Sequence, residues 1–277
     1  MPASLPLSVN HYLCPEGLSC IAFMDQAVAH GYSGIGLTAA ALRELPPARL
    51  RTELAARGLR VSSVNSAGYF LQPDFEATQA KANLQLLQAA AELQAPLNVI
   101  VGGNPALALA QARPEAVDGL GRLAESARGL GVRLVVEPLH PVQARGKSCL
   151  NTIAQVEAAF AQVPGLALNA DLFHLWWDPD LQRLLRGDSV PIALLQVCDV
   201  ADAAPAQQLP RRVPLDEGCL DWRACVGAVR RAFPRAEVEL ELFAEQLPGR
   251  ALDELLRTNA SALAGWSGGR DGDRPHG

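Results

Sequence analysis

One pattern recurs along this chain of 277 residues and leaves few folds open. A short apolar run, a loop and a segment with helical spacing follow one another eight times. The runs are Leu5–Asn10, Gly34–Leu37, Leu59–Val64, Leu97–Val101, Val132–Val136, Leu166–Ala170, Ile192–Val197 and Val238–Phe243. They are apolar almost throughout rather than alternating, as strands of a parallel sheet buried on both faces are. Helical spacing occupies Cys20–His30, Pro47–Arg57, Phe75–Leu93, Pro114–Leu130, Thr152–Gln162, Asp180–Arg186, Trp222–Ala232 and Ala251–Leu263. Gly31, Gly58, Gly131 and Gly165 stand where a left-handed residue would stop a helix before the next strand. Strand alternating with helix selects a parallel sheet, and eight units close a (β/α)8 TIM barrel; an open doubly wound sheet is the alternative. The barrel is expected over residues 1–266, with the glycine-rich, charged stretch 267–277 as a disordered tail.

Composition narrows the partners. Hydrophobic residues make up 49% of the chain, enough for one large core, and the net charge is −5. The basic residues are scattered, which argues against a nucleic-acid groove. No apolar run approaches the roughly 20 residues of a membrane span. Met1–Leu13 lacks the basic start of a signal peptide. Six cysteines form no CxxC pair and read as reduced thiols, so the cytoplasm is the expected location. A homo-oligomer stays open.

A carboxylate at a buried strand end needs a partner. Glu137 closes "RLVVEPLH", Asp171 closes "LALNADLFH", Gln196 sits in "ALLQVCD" and Glu241 lies in "EVELELF". Each acid alone reads equally well as a helix cap or an ion-pair member. Together they lie on strands whose C-terminal ends converge on one mouth, and three carboxylates there require a counter-charge. A divalent cation is the simplest one. Glu237 and Glu239 share the parity of Glu241, so all three compete for the position; Asp199 reads as a loop or supporting residue. His174 and His140 could face the pocket or be structural, and Trp176 and Trp177 could wall the site or pack beneath it. "GIGLTA" at Gly34 imitates a dinucleotide fingerprint but lies inside a strand. Gly102 and Gly103 could admit a ligand or turn the chain.

With "VVEPLHP", "NADLFHLWWDPDL", "LLQVCD" and "VELELF", the chain resembles the sugar phosphate isomerase/epimerase family, which has the xylose isomerase-like TIM barrel. The resemblance covers roughly residues 5–265. It implies metal ligands Glu137, Asp171, position 196 and Glu241. Many relatives carry His where this chain has Gln196, which leaves an all-oxygen shell that favours Mn²⁺ or Mg²⁺, with Co²⁺ or Zn²⁺ as softer alternatives. In "PRRVPLDEGCLDW" it points to Arg212 as the residue contacting substrate oxygens, with Arg211 beside it; His174, His140 and Lys147 are further candidates for substrate binding. The implied chemistry is proton transfer next to a ketose carbonyl through a metal-stabilised enediolate, with Glu137 and Glu241 as bases. A dehydratase or lyase of a keto-sugar, an inosose or a dehydroshikimate-like acid is the alternative. A non-catalytic binding barrel is a third reading, and a repair endonuclease would need more histidines and a basic groove.

Overall fold

The computed structural model describes residues 6–201 and 210–265. Among these residues ten strands form: β1 Leu7–Asn10, β2 Gly34–Thr38, β3 Arg60–Gly68, β4 Leu97–Ile100, β5 Leu134–Val136, β6 Ala167–Asp171, β7 Ile192–Val197, β8 Asp199–Ala201, β9 Arg211–Val213 and β10 Glu237–Leu240. All but β8 and β9 make one closed parallel barrel in the order β1-β10-β7-β6-β5-β4-β3-β2. Closure is direct: β1 pairs with β10 on one side and β2 on the other, which excludes the open sheet. All eight apolar runs hold a barrel strand. Strands β8 and β9 form an antiparallel ribbon above the mouth, in register Asp199↔Val213 to Ala201↔Arg211. Leu5, the tail 267–277 and His276 lie outside the described residues. Among the described residues, no helix is long and apolar enough to cross a membrane.

The departures from the sequence reading have local causes. Strand β3 runs on through Asn65–Gly68, a short stretch of small and polar residues that reads as a loop in the sequence. The helix expected from Pro114 begins at Leu109 and passes through the proline. Its buried stripe of Ala112, Ala116, Leu120 and Leu123 continues across that point, so packing outweighs one missing backbone hydrogen bond. Two short helices unseen in the sequence, Ala39–Glu44 and Leu172–Leu175, start directly on strand ends, where Thr38 and Asp171 accept hydrogen bonds from backbone N–H groups.

The "GIGLTA" glycines have a packing role. A Cβ on Gly36 would collide with the Glu239 carboxylate and lie 2.8 Å from Ser63 Oγ. Gly36→Ala should therefore cost about 1–3 kcal/mol in denaturant unfolding, because the barrel interior cannot widen on one strand alone. Unchanged stability would mean that Glu239 has free space. Gly102, at φ +98°, lies where a Cβ would press on the Tyr69 backbone at 2.8 Å, so it serves chain packing.

Candidate functional site

Below the mouth, the barrel interior is polar. Asn98 donates to Asn65 Oδ1 at 3.0 Å, and Asn65 donates to Ser63 Oγ at 2.7 Å. Ser63 donates to Glu239 Oε2 at 2.8 Å, and Gln196 donates to Glu239 Oε1 at 2.8 Å. Asn169 then donates to Gln196 Oε1 at 2.6 Å and to Asn98 Oδ1 at 3.2 Å, closing a ring of six residues from five strands. Glu239 is fully buried and also accepts from Asn10 at 2.8 Å and Ser62 at 2.5 Å. Burial pushes its carboxyl up, and the donors from Gln196, Ser62, Asn10 and Ser63 pull against that. Two arms leave the ring for the mouth. Asn98 donates to Glu137 Oε2 at 2.5 Å, and Gln196 donates to Glu241 Oε1 at 3.0 Å.

At the mouth stand Glu137 (4% exposed), Asp171 (0%) and Glu241 (3%), together with Arg212 (4%). The Arg212 guanidinium is bidentate on Asp171, with Nη1 3.0 Å from Oδ1 and Nη2 on Oδ2. Its Nη2 also lies 2.9 Å from Glu241 Oε2, but without the alignment of a hydrogen bond, so that buried oxygen has no hydrogen-bond partner. Phe173 and Phe243 face the guanidinium at 4.4 and 5.1 Å from their ring centroids. One fixed cation thus serves several carboxylates, and the electrostatics record the shortfall. Burial, with repulsion from Asp171, pushes the Glu137 carboxyl up to about 7. Burial also pushes Glu241 well above the usual carboxylate range; Arg212 opposes this, while Asp171 and Glu137 add to it. Asp171 differs: burial raises it, but the Arg212 guanidinium, His174 and Glu241 together hold it below the usual range.

Glu137, Asp171 and His174 bring ligand-capable atoms within 4.8 Å of one another, which makes a candidate metal site. His174 Nε2 is 3.6 Å from both Glu137 Oε1 and Asp171 Oδ2. Its other nitrogen, Nδ1, accepts the backbone N–H of His140 at 3.1 Å. Burial lowers the imidazole pKa to about 3, so the ring is neutral. Arg212 Nη2, which can only donate, lies 3.4 Å from His174 Nε2, so both ring nitrogens face donors. A metal-bound histidine shows a different arrangement, donating from the nitrogen that does not bind the ion. The donor chemistry fits a cation: three carboxylates share one guanidinium, and Glu241 Oε2, ion-paired with Arg212 at 2.9 Å, makes no hydrogen bond.

A cavity of about 240 Å³ opens over these groups. It is lined by Glu137, His174, Arg212, Glu241 and Lys147 from the sequence-predicted set, with Tyr12, Asn65, Tyr69, Gln143, Phe173, Phe243 and Glu245 among the rest. Asp171 sits behind Arg212. Two expectations shift. Gln196 turns its amide oxygen to Asn169 and its NH₂ to Glu239 and Glu241, since two carboxylates demand a donor; the atom expected to reach a metal faces away from the mouth. His140 does not line the cavity: its Nδ1 accepts from Val142 N at 3.3 Å and its ring meets the edge of Trp177 at 5.9 Å. What it offers the site is its backbone N–H, toward His174. Trp177 supports His174 from below, donating to its carbonyl at 2.9 Å.

The ribbon that delivers Arg212 is anchored by Asp199. Its carboxylate accepts the backbone N–H groups of Val200 and Leu220 at 2.9 Å and of Asp216 at 3.1 Å, which folds the 214–220 loop beneath the ribbon. The two-residue period of β9 buries Arg212 and exposes Arg211. Sequence reasoning did not identify Asn65, Asn98, Asn169 or the aromatic pair Tyr12 and Phe243, stacked at 4.7 Å. A lone Asn within an apolar run, as in "LNVIV" and "LALNA", was the available signal.

Comparison with known proteins bears on this geometry. The sequence pattern described as "Xylose isomerase-like TIM barrel" matches residues 24–264. Among curated proteins, none matches the sequence. Protein SMc04130 from Sinorhizobium meliloti 1021 is 25% identical, with a TM-score of 0.80 over 92% of this chain and 96% of that one. A D-psicose 3-epimerase, in a structure determined with D-fructose, is 17% identical with a TM-score of 0.75 over 96% and 100% of the two chains. The IOLI protein, with a bound zinc atom, is 16% identical with a TM-score of 0.77 over 94% and 98%. At those last two identities the likeness extends to the fold alone.

Proposed function

Because the chain belongs to the xylose isomerase-like TIM barrel family, we propose that it is a metal-dependent sugar isomerase or epimerase that moves a proton next to a ketose carbonyl. The observation that carries the reading is the pair Glu137 and Glu241. Both are buried carboxylates with raised pKa, they line one cavity from different strand ends, and each is tethered by one oxygen to an amide of the interior ring. Tethering one oxygen leaves Glu137 Oε1 to act, and Glu241 Oε2 once Arg212, 2.9 Å away, yields it. Metal coordination would keep both carboxylates ionised at neutral pH, so each could act as base.

Glu137, Asp171 and Glu241 would hold the ion. An all-oxygen set suits Mn²⁺ or Mg²⁺, with Co²⁺ and Zn²⁺ less favoured. A divalent ion supplies Lewis-acid charge where oxyanion character develops on the carbonyl. The protein's own groups do the rest. His174 contacts a substrate oxygen, and Lys147 and Gln143 contact hydroxyls at the rim. Phe173 and Phe243 shield Arg212 from water, which strengthens its interaction with the carboxylates. One glutamate removes the proton from the carbon beside the carbonyl. Return by the other glutamate to the opposite face of that carbon inverts it, and return to the neighbouring carbon, with the hydroxyl proton passing to the former carbonyl oxygen, isomerises the sugar.

The purified protein should bind about one Mn²⁺ or Mg²⁺ per chain, and a variant with Glu137, Asp171 and Glu241 all changed to amides should bind none. Full occupancy in that variant would place the metal elsewhere. The Mn²⁺-loaded enzyme should wash deuterium from D₂O into the carbon beside the carbonyl of at least one ketose, read by NMR. Absence of exchange across a ketose panel would overturn the reading, and a product lighter by one water would assign a dehydratase instead.

A further inference from the structure

We propose that the substrate of this site is an uncharged polyhydroxy ketone, and that phosphate esters and carboxylates are rejected; this rests on the ketose reading above. The argument is electrostatic. Of the described residues lining the cavity, Arg212 and Lys147 are the cations. Arg212 is already committed to Asp171 and Glu241, and Lys147 is exposed at the rim. Against them stand Glu137, Glu241 and Glu245 in the lining, with Asp171 and Glu239 directly behind. With the acids ionised and a divalent ion bound, the site is still net negative. With some of them protonated, it has no unpaired cation deep enough to receive an anion. Phosphate and carboxylate are held by bidentate arginine or by clusters of N–H donors.

Among the described residues, the surroundings supply no substitute. TIM barrels that bind phosphate do so with the loops after their last two barrel strands. Here those strands are β7 and β10. The loop after β10 brings Glu245 to the cavity, and its Arg250 is bidentate on Glu217 at 2.9 Å through both nitrogens. After β7, Arg211 faces solvent on β9, and residues 202–209, "DAAPAQQL", include neither Lys nor Arg. An independent observation points the same way. A buried polar atom on a residue lining the cavity, Gln143 Oε1, lacks a hydrogen-bond partner, and it is an acceptor. An acceptor left without a donor is completed by a cation or a hydroxyl, never by an anionic oxygen.

The test has a binding arm and a reaction arm. Binding uses sorbitol and sorbitol 6-phosphate, which carry no carbonyl and do not react, titrated calorimetrically into the Mn²⁺-loaded wild-type protein. Sorbitol should bind at least about tenfold more tightly, because like charges brought together in a poorly solvated site repel strongly. Glu245→Lys should narrow that gap by about tenfold, since it reverses the rim charge. Equal or tighter binding of the phosphate, or a gap that Glu245→Lys leaves unmoved, overturns the proposal. Reaction uses deuterium wash-in with D-fructose, D-fructose 6-phosphate and a panel of free ketoses. Faster exchange of the phosphate also overturns the proposal. Selective binding of sorbitol with no exchange of any ketose supports the substrate class while the isomerase reading fails, so the two failures are distinct.

Discussion

Glu241→Gln should slow proton exchange from one epimer of the true substrate by about 10²–10⁴-fold, and Glu137→Gln should do the same for the opposite epimer. The opposed outcomes follow from the geometry. Each glutamate reaches the cavity from its own strand end, and each is held through one oxygen, Glu137 by Asn98 at 2.5 Å and Glu241 by Gln196 at 3.0 Å. Glutamine keeps the size and one oxygen acceptor for that tether, so the barrel and part of the metal affinity should persist while the base is lost. Deuterium wash-in followed by NMR, for each epimer separately and with metal occupancy measured in parallel, reads the effect. Wild-type exchange in both metal-loaded variants would remove these residues from the chemistry. Loss confined to Glu241→Gln would indicate a single base, as in a one-base isomerase or a dehydratase.

The parts of this arrangement that are legible in the sequence are those written within one segment. Eight apolar runs announce eight parallel strands, because a strand buried on both faces is apolar on consecutive residues. Acids that close or follow such runs mark the mouth, and Glu137, Asp171 and Glu241 all stand there. Relations between strands are not written that way. Gln196 was a candidate ligand by position, yet its amide faces Asn169, Glu239 and Glu241, which come from two other strands. Glu239 shares the parity of Glu241, but the space that lets it sit in the interior is a missing side chain on β2, at Gly36. His140 stands next to the site in sequence, and a 3-10 turn over Pro141–Gln143 directs its ring to Trp177. The choice between Arg211 and Arg212 needed the ribbon pairing of β8 with β9, short strands separated by nine residues in the sequence.

Arg212→Met should destabilise the metal-free protein by about 3–5 kcal/mol and should make Mn²⁺ bind more tightly, not more weakly. Removing one member of a buried ion pair leaves the other as an uncompensated charge, which typically costs that much. Here the members left behind would be Asp171, fully buried, and Glu241, 3% exposed. For a chain of this size the loss corresponds to a melting shift on the order of 10 °C. Methionine keeps most of the side-chain volume between Phe173 and Phe243, so the packing change is small beside the charge change. Tighter metal binding follows because the oxygens that Arg212 occupies, both on Asp171 and Oε2 of Glu241, are the ones a divalent ion would take. In the wild-type protein the guanidinium must yield them first; in the variant they are unclaimed. Melting curves in chelator and in Mn²⁺ should therefore show a larger metal-induced rise for the variant than for the wild type, and calorimetric titration should give a lower Kd. A metal-free variant that melts with the wild type would mean that the Asp171 charge is not held by Arg212. A higher Kd in the variant would mean that Arg212 and the ion bind side by side, with the arginine helping to place the carboxylates rather than competing for them.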